Sequence, residues 1–216
     1  HSMKGEIQMD VLEAIKTRRA INYFEKGREL PEDLLKELLN LANLCPSSFN
    51  LQPWEVIVVR DPGMKKELRA CAMDQPKVEE ASVVLVMVAD PGAVERHQEL
   101  VFQDRLKKGY MKDASQFEGL KAVMKQLYGE PGSLRRMIFA TKNTAFYAMT
   151  IMLAAKGLGL ETHPMDGFDE EAVKRLFKLP QEKIIPLLIA IGYPKPGLKL
   201  LERPFRRELR EFVTYY

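Results

Sequence analysis

Two cysteines, one tryptophan and three histidines in 216 residues leave several kinds of chemistry short of material. Cys45 and Cys71 stand far apart, with no Cys-x-x-Cys pair and no histidines at metal-ligand spacing, which argues against a disulfide framework or a zinc site. Cys45, closing a helical pattern, reads as a small core residue. No metal is expected. The longest unbroken apolar run, Val83 to Ala89, is far too short to span a bilayer. No charged-then-apolar signal segment opens the chain, so the expectation is no membrane and a cytoplasmic protein. A net charge of +3 is too slight to imply a nucleic-acid partner. There is no Walker loop, no GxSxG elbow and no HExxH. The one GxG pair, Gly157-Leu158-Gly159, follows a helical pattern and precedes an extended one, the reverse of a dinucleotide fingerprint. His97, among Glu95, Gln98 and Glu99, reads as a solvated helix residue, and His163 reads more as a satisfied structural histidine than as a general base.

What is present is an ordinary folded composition, 46% hydrophobic and 29% charged. His1 and Ser2 precede a methionine and look like an expression scar, which leaves 3–216 as a single domain with no linker or repeat. Asp10 to Arg19 is a helix with Asp10 as its cap, and Pro31 opens a second helix with Glu32 and Asp33 in its first turn. Glu55 to Arg60 is a strand, and Met64 to Ala72 a short helix. Ser82 to Ala89 (SVVLVMVA) has no polar alternation and should be a strand buried on both faces. The stretch 92–132 is helical but interrupted by Gly109, Gly119 and the GEPG of 129–132. Ser133 to Lys156 is apolar nearly all round and belongs in the middle of the molecule. Asp169 caps another helix, and Ile184 to Tyr193 is a third buried strand. The fold class is α+β, a central mixed or antiparallel sheet flanked by helices. The remaining segment, 194–216, scatters apolar side chains among charges, and these need a surface that another subunit can offer.

Two sets of polar residues stand out. Arg18 and Arg19 end the first helix, where paired guanidiniums either cap the helix dipole or make a forked anion site. The turn PSSFNLQPW, Pro46 to Trp54, gathers Ser47, Ser48, Asn50 and Gln52 between stiff prolines. Its hydroxyls and amides both donate and accept, which suits the edge of a planar heterocycle or, equally, a turn that satisfies itself.

These residues, in this order, resemble the nitroreductase family of flavin-dependent oxidoreductases. The likeness runs over nearly the whole chain. It is carried by the paired arginines of TRRAINYF (Thr17 to Phe24), the complete PSxxNxQPW turn, the PMxG element Pro164 to Gly167, the GYP at Gly192 to Pro194, and an arginine in the tail. The resemblance implies non-covalently bound FMN, NAD(P)H as transient donor, and a homodimer whose C-terminal tail reaches across the interface. It implies that Arg18, Arg19 and a tail arginine, Arg206 or alternatively Arg203, hold the phosphate and ribityl chain beside Ala20 and Asn22. By the same likeness Pro46, Ser47, Ser48 and Asn50 line the flavin ring from the partner subunit, while Gln52 braces the turn. Pro164, Met165 and Gly167 pass beside the ring, Gly167 approaching closely for want of a Cβ. Ala20 and Asn22 depart from the pattern, since a hydroxyl and a further base are usual there.

The activity implied is ping-pong transfer of electrons from NAD(P)H through the flavin to nitroaromatic, quinone or related acceptors. No side chain acts as catalytic acid, base or nucleophile. Tyr110, Met111, Phe117 and Tyr128 in the 92–132 excursion are candidates to wall the acceptor pocket, or else simply pack that excursion onto the core. The alternatives are a flavin-binding storage or sensor protein without rapid turnover, and a flavin-free helical protein whose arginines meet an acidic partner.

Overall fold

The structure, a computed structural model, describes residues 9–216, so His1 and Ser2 lie outside the described residues. The helices begin where short acceptor side chains can take an orphan N–H. Asp10 accepts from Glu13 N at the head of α1 (Val11–Thr17), and Asp61 from Met64 N at the head of α3 (Pro62–Cys71). Ser133 caps α7 (Leu134–Gly157) and Asp169 caps α8 (Glu170–Phe177) in the same way. Each such cap contributes about 1 kcal/mol. Pro31 precedes α2 (Glu32–Ala42), which has two acids in its first turn. A one-turn helix not expected from the sequence, α4 (Lys77–Glu80), follows α3.

Strands β1 (Trp54–Val59), β2 (Val83–Ala89), β3 (Glu161–Met165) and β4 (Ile184–Gly192) form one sheet in the order β1-β2-β4-β3. Every named pair is antiparallel, and the only parallel element among the described residues is a bridge between Ala20 and Thr162. Every residue of β2 is buried, because its period of two feeds two cores. Val83, Leu85 and Met87 pack with Leu35 and Leu38 of α2 and Tyr147, Ile151 and Ala155 of α7. Val84, Val86 and Val88 pack with Leu68 of α3, Val78 of α4 and Val173 of α8. Each such fully buried side chain contributes about 1.5–3 kcal/mol.

The excursion folds as α5 (Ala93–Lys107) and α6 (Gln116–Tyr128) over a third core cluster. Gly109, at φ +78°, stands where the chain leaves α5. Gly119 does not interrupt anything: it sits exposed within α6, whose inner face is held by Phe117, Met124 and Tyr128. Buried Arg136 fastens the excursion, donating to both carboxylate oxygens of Glu95 and to the carbonyls of Pro91 and Gly129. Met111, Phe117 and Tyr128 belong to that core, whereas Tyr110 is exposed.

Helix α7 corrects one expectation. Its apolar ring is only half buried: Ala148, Ile151 and Ala155 face the sheet, while Ile138, Phe146 and Met149 stand at 55%, 44% and 40% exposure. The tail beyond residue 198 has one short 3-10 turn, Leu209–Glu211, and leaves Leu201, Phe205, Leu209 and Tyr215 uncovered by its own chain. Among the described residues no helix is long and apolar enough to cross a membrane.

Candidate functional site

The segment after α1 runs beside β3, which brings the first set of residues together. Ile21 N donates to Thr162 O at 3.1 Å, Ala20 bridges Thr162, and His163 Nδ1 meets Ile21 O at 3.1 Å. The Nδ1–H of His163 is therefore the donor, and its Nε2 is left to accept from Lys77 Nζ at 3.4 Å. Lys77 also donates to Asn22 Oδ1 at 2.9 Å, so a cation from α4 stands against the residue where a basic side chain was missed. Burial lowers the Lys77 ammonium, and it pushes His163 down to about 4, with Lys77 adding to the effect and the Ile21 carbonyl opposing it.

The tail returns to the same corner. Arg203 donates to Lys16 O at 2.6 Å and to Arg18 O at 3.3 Å, and Arg19 donates to Leu201 O at 3.2 Å. Arg206 donates only to carbonyls of its own tail, Pro204 and Phe205. The Arg18 guanidinium makes no hydrogen bond among the described residues. Burial lowers its pKa first, Arg203 and Arg206 lower it further, and Glu161 alone opposes them. Three cations thus converge where one carboxylate faces them, and that carboxylate is already paired with Lys156 at 2.5 Å. Such a cluster is stabilised by an anion. On β3 the Thr162 hydroxyl and Glu161 Oε2 are buried without partners.

Past Pro164 and Met165, Gly167 accepts from Gln75 Nε2 at 2.8 Å through its carbonyl, and among the described residues its N–H donates to nothing. A Cβ there would meet Gln75 at 3.1 Å and Met73 at 3.2 Å. The smallness of Gly167 thus serves packing against the α3–α4 connection, a role the sequence alone did not show.

The second set is the turn, with a 3-10 core at Ser48–Asn50. Phe49, Asn50 and Gln52 have φ of +52°, +56° and +46°, the left-handed region that costs a non-glycine residue on the order of 1 kcal/mol. The Ser47 hydroxyl accepts Gln52 N at 3.0 Å, and the Gln52 amide donates to Asn50 O at 2.9 Å. Outside support comes from α7: Asn143 accepts Ser48 N, and Thr144 donates to Pro53 O. Trp54 stacks on Tyr147 with centroids 4.9 Å apart. His97 is not simply solvated, since its Nδ1 lies 2.7 Å from Leu51 O. It joins Gln52, Trp54, Leu100 and Val101 around an open cavity of about 320 Å³.

The two sets do not meet within one chain. The turn leads into Trp54 on edge strand β1, whereas Thr162 lies on the other edge, β3. Trp54 is level with Ala89 and Ile184, and Thr162 with Ile191, so the sets occupy diagonal corners of the sheet. Three strand spacings across and seven residues along place those corners roughly 28 Å apart. Buried Asn143 and Thr144, Lys77, and the bond of His97 to the turn escaped the sequence. None of these belongs to a recognisable motif, and only its neighbours reveal its use.

The model of the nitroreductase family matches residues 15–193. A Thermus thermophilus protein named NADH dehydrogenase is 36% identical over 186 residues, covering 86% of this chain and 87% of its own. The crystal structure of ydfN from Bacillus subtilis, assigned as a nitroreductase, has a TM-score of 0.87 at 28% identity over 95% of this chain and 98% of that one. A protein of Exiguobacterium sibiricum, assigned as a nitroreductase and solved in complex with FMN, has a TM-score of 0.85 over 98% and 99% of the two chains. At 22% identity that likeness concerns the fold alone.

Proposed function

The chain belongs to the nitroreductase family, and from that premise we propose that it is an FMN-dependent oxidoreductase passing electrons from NAD(P)H to nitroaromatic, quinone or related acceptors. The observation that carries the reading is the convergence of Arg18, Arg203 and Arg206 against one paired carboxylate. The residues present fit the cofactor. A phosphate satisfies the free Arg18 guanidinium and its neighbours, the Gly167 N–H is left free beside β3, and Pro164 is partly exposed there, while Met165, buried in the core, borders the site only through its backbone.

Arg18, Arg19 and Arg206 bind the phosphate and ribityl chain, with Ala20 and Asn22 alongside. Arg203, engaged with the end of α1, holds the tail in place. The polar edge of Ser47, Ser48 and Asn50, next to Pro46 and braced by Gln52, lies too far off to reach the same ligand from the same chain. A second copy supplies it, so the protein acts as a homodimer. Held by these residues, FMN would supply the two-electron chemistry that links a nicotinamide donor to the acceptor in separate half-reactions. The protein binds, orients and shields; the site needs no side-chain acid or nucleophile. In this reading residues 3–216 are one domain working in the cytoplasm.

The test is a visible spectrum of the purified protein, followed by anaerobic addition of NADH or NADPH and then an acceptor panel. Bleaching of the flavin band within seconds and its return with a nitroarene or quinone are expected. A yellow protein that neither nucleotide bleaches would be a flavin store or sensor, and a colourless one that takes up no FMN would refute the reading outright.

A further inference from the structure

The turn holds Phe49 and Gln52 at positive φ, which such side chains disfavour, with Asn50, a residue that tolerates that region, between them. The bonds among Ser47, Asn50 and Gln52 lie inside the loop and leave its attitude to the rest of the molecule free. That attitude is set from α7. Asn143 is wholly buried, and its Oδ1 accepts the Ser48 N–H at 2.9 Å across 95 residues of sequence. Its Nδ2 donates to Phe139 O at 2.7 Å, one helical turn back. With the amide NH2 committed to a carbonyl, only the oxygen is left to face Ser48, so the network fixes which way the amide points. The next residue, Thr144, donates to Pro53 O at 3.1 Å, a carbonyl that also receives Asp90 N–H at 2.9 Å. Two consecutive side chains of α7 therefore grip the turn at Ser48 and Pro53, on either side of its three positive-φ residues.

An asparagine is a poor choice for a helix interior, and burying its amide is costly unless bonded. Its bond to Phe139 adds nothing the helix ladder lacks. What it alone supplies is an acceptor for the Ser48 N–H. We infer that Asn143 is a positioning residue, fixing Ser48 and through it the polar edge that the turn presents to the flavin. The second half rests on the proposed function; the placing of Ser48 by Asn143 does not. Thr144 plays a lesser part, because Pro53 O keeps its bond from Asp90.

The test compares Asn143→Ala, Asn143→Asp and Thr144→Val with the parent protein. A protonated aspartic acid reproduces both bonds, its carbonyl oxygen facing Ser48 and its O–H facing Phe139. An ionised one sets lone pairs against a carbonyl, and burial raises the pKa of such a group. The measurements are FMN affinity as a function of pH, the midpoint potential of the bound flavin, and hydrogen exchange of the Ser48 peptide in flavin-free protein. In Asn143→Ala the exchange should quicken and FMN affinity fall about tenfold to a hundredfold, the cost of stranding one buried donor. Asn143→Asp should match the parent at low pH and Asn143→Ala at high pH, while Thr144→Val stays within about threefold of the parent. Unchanged affinity and potential in Asn143→Ala would overturn the positioning role, as would a loss that aspartate fails to restore on acidification. If the parent binds no FMN, the proposed function fails instead. The exchange arm then decides alone, and unaltered Ser48 exchange in Asn143→Ala would overturn the placement.

Discussion

At the residue scale, His163 ties acid stability to the site. Its pKa is held at about 4 by burial first and by Lys77 second, against an ordinary value of 6.5. As pH falls the unfolded chain takes the proton before the folded one does. Stability linked to this group is therefore complete above about pH 6.5 and is lost between about 6.5 and 4, by at most about 3 kcal/mol. Denaturant midpoints of the parent and of His163→Asn, measured across that window, should diverge: the parent loses stability on acidification and the variant loses less. Parallel curves would mean that the imidazole titrates normally. The sequence singled His163 out but could not value it. The depression comes from burial between distant segments, and secondarily from Lys77, which lies 86 residues away in the chain and stands 3.4 Å from Nε2.

At the scale of elements, α7 shows where patterning informs and where it misleads. Its cap at Ser133 and its end near Gly157 follow from local chemistry, and so do the starts of α1 and α8 at Asp10 and Asp169. Burial does not follow so simply. An all-apolar helix reads as central, yet Ile138, Phe146 and Met149 find no cover in this chain. In the proposed homodimer, a second copy laid on that face would account for both the pattern and the exposure. Phe146→Glu combined with Met149→Glu should leave far-UV circular dichroism unchanged, since both side chains are partly exposed, but yield a monomer by light scattering at micromolar concentration. A double variant that remains dimeric would place the interface elsewhere.

At the scale of the whole molecule, the anion corner is assembled from the two ends of the chain. Arg18 follows α1, and Arg203 and Arg206 arrive with the tail. Arg18→Ala together with Arg206→Ala should lower FMN occupancy of the purified protein several-fold while the fold persists, because neither guanidinium bonds anything outside the tail. On the proposed binding, two charge-assisted contacts of about 1.5–3 kcal/mol each would be removed. Full retention of flavin, read from the ratio of visible to ultraviolet absorbance, would take both residues out of the phosphate role.

The sequence by itself determined most of the elements, the two-faced burial of β2, and the family to which the motifs belong, because periodicity, caps and turn residues act over a few neighbours. The tertiary structure alone decided which polar groups meet. It set the turn and the arginines at opposite corners of one sheet, supplied Lys77 and Asn143 from helices that gave no motif, and turned Gly167 towards Gln75. Those relations join positions dozens of residues or more apart. Their energies depend on burial and distance, which no local pattern encodes.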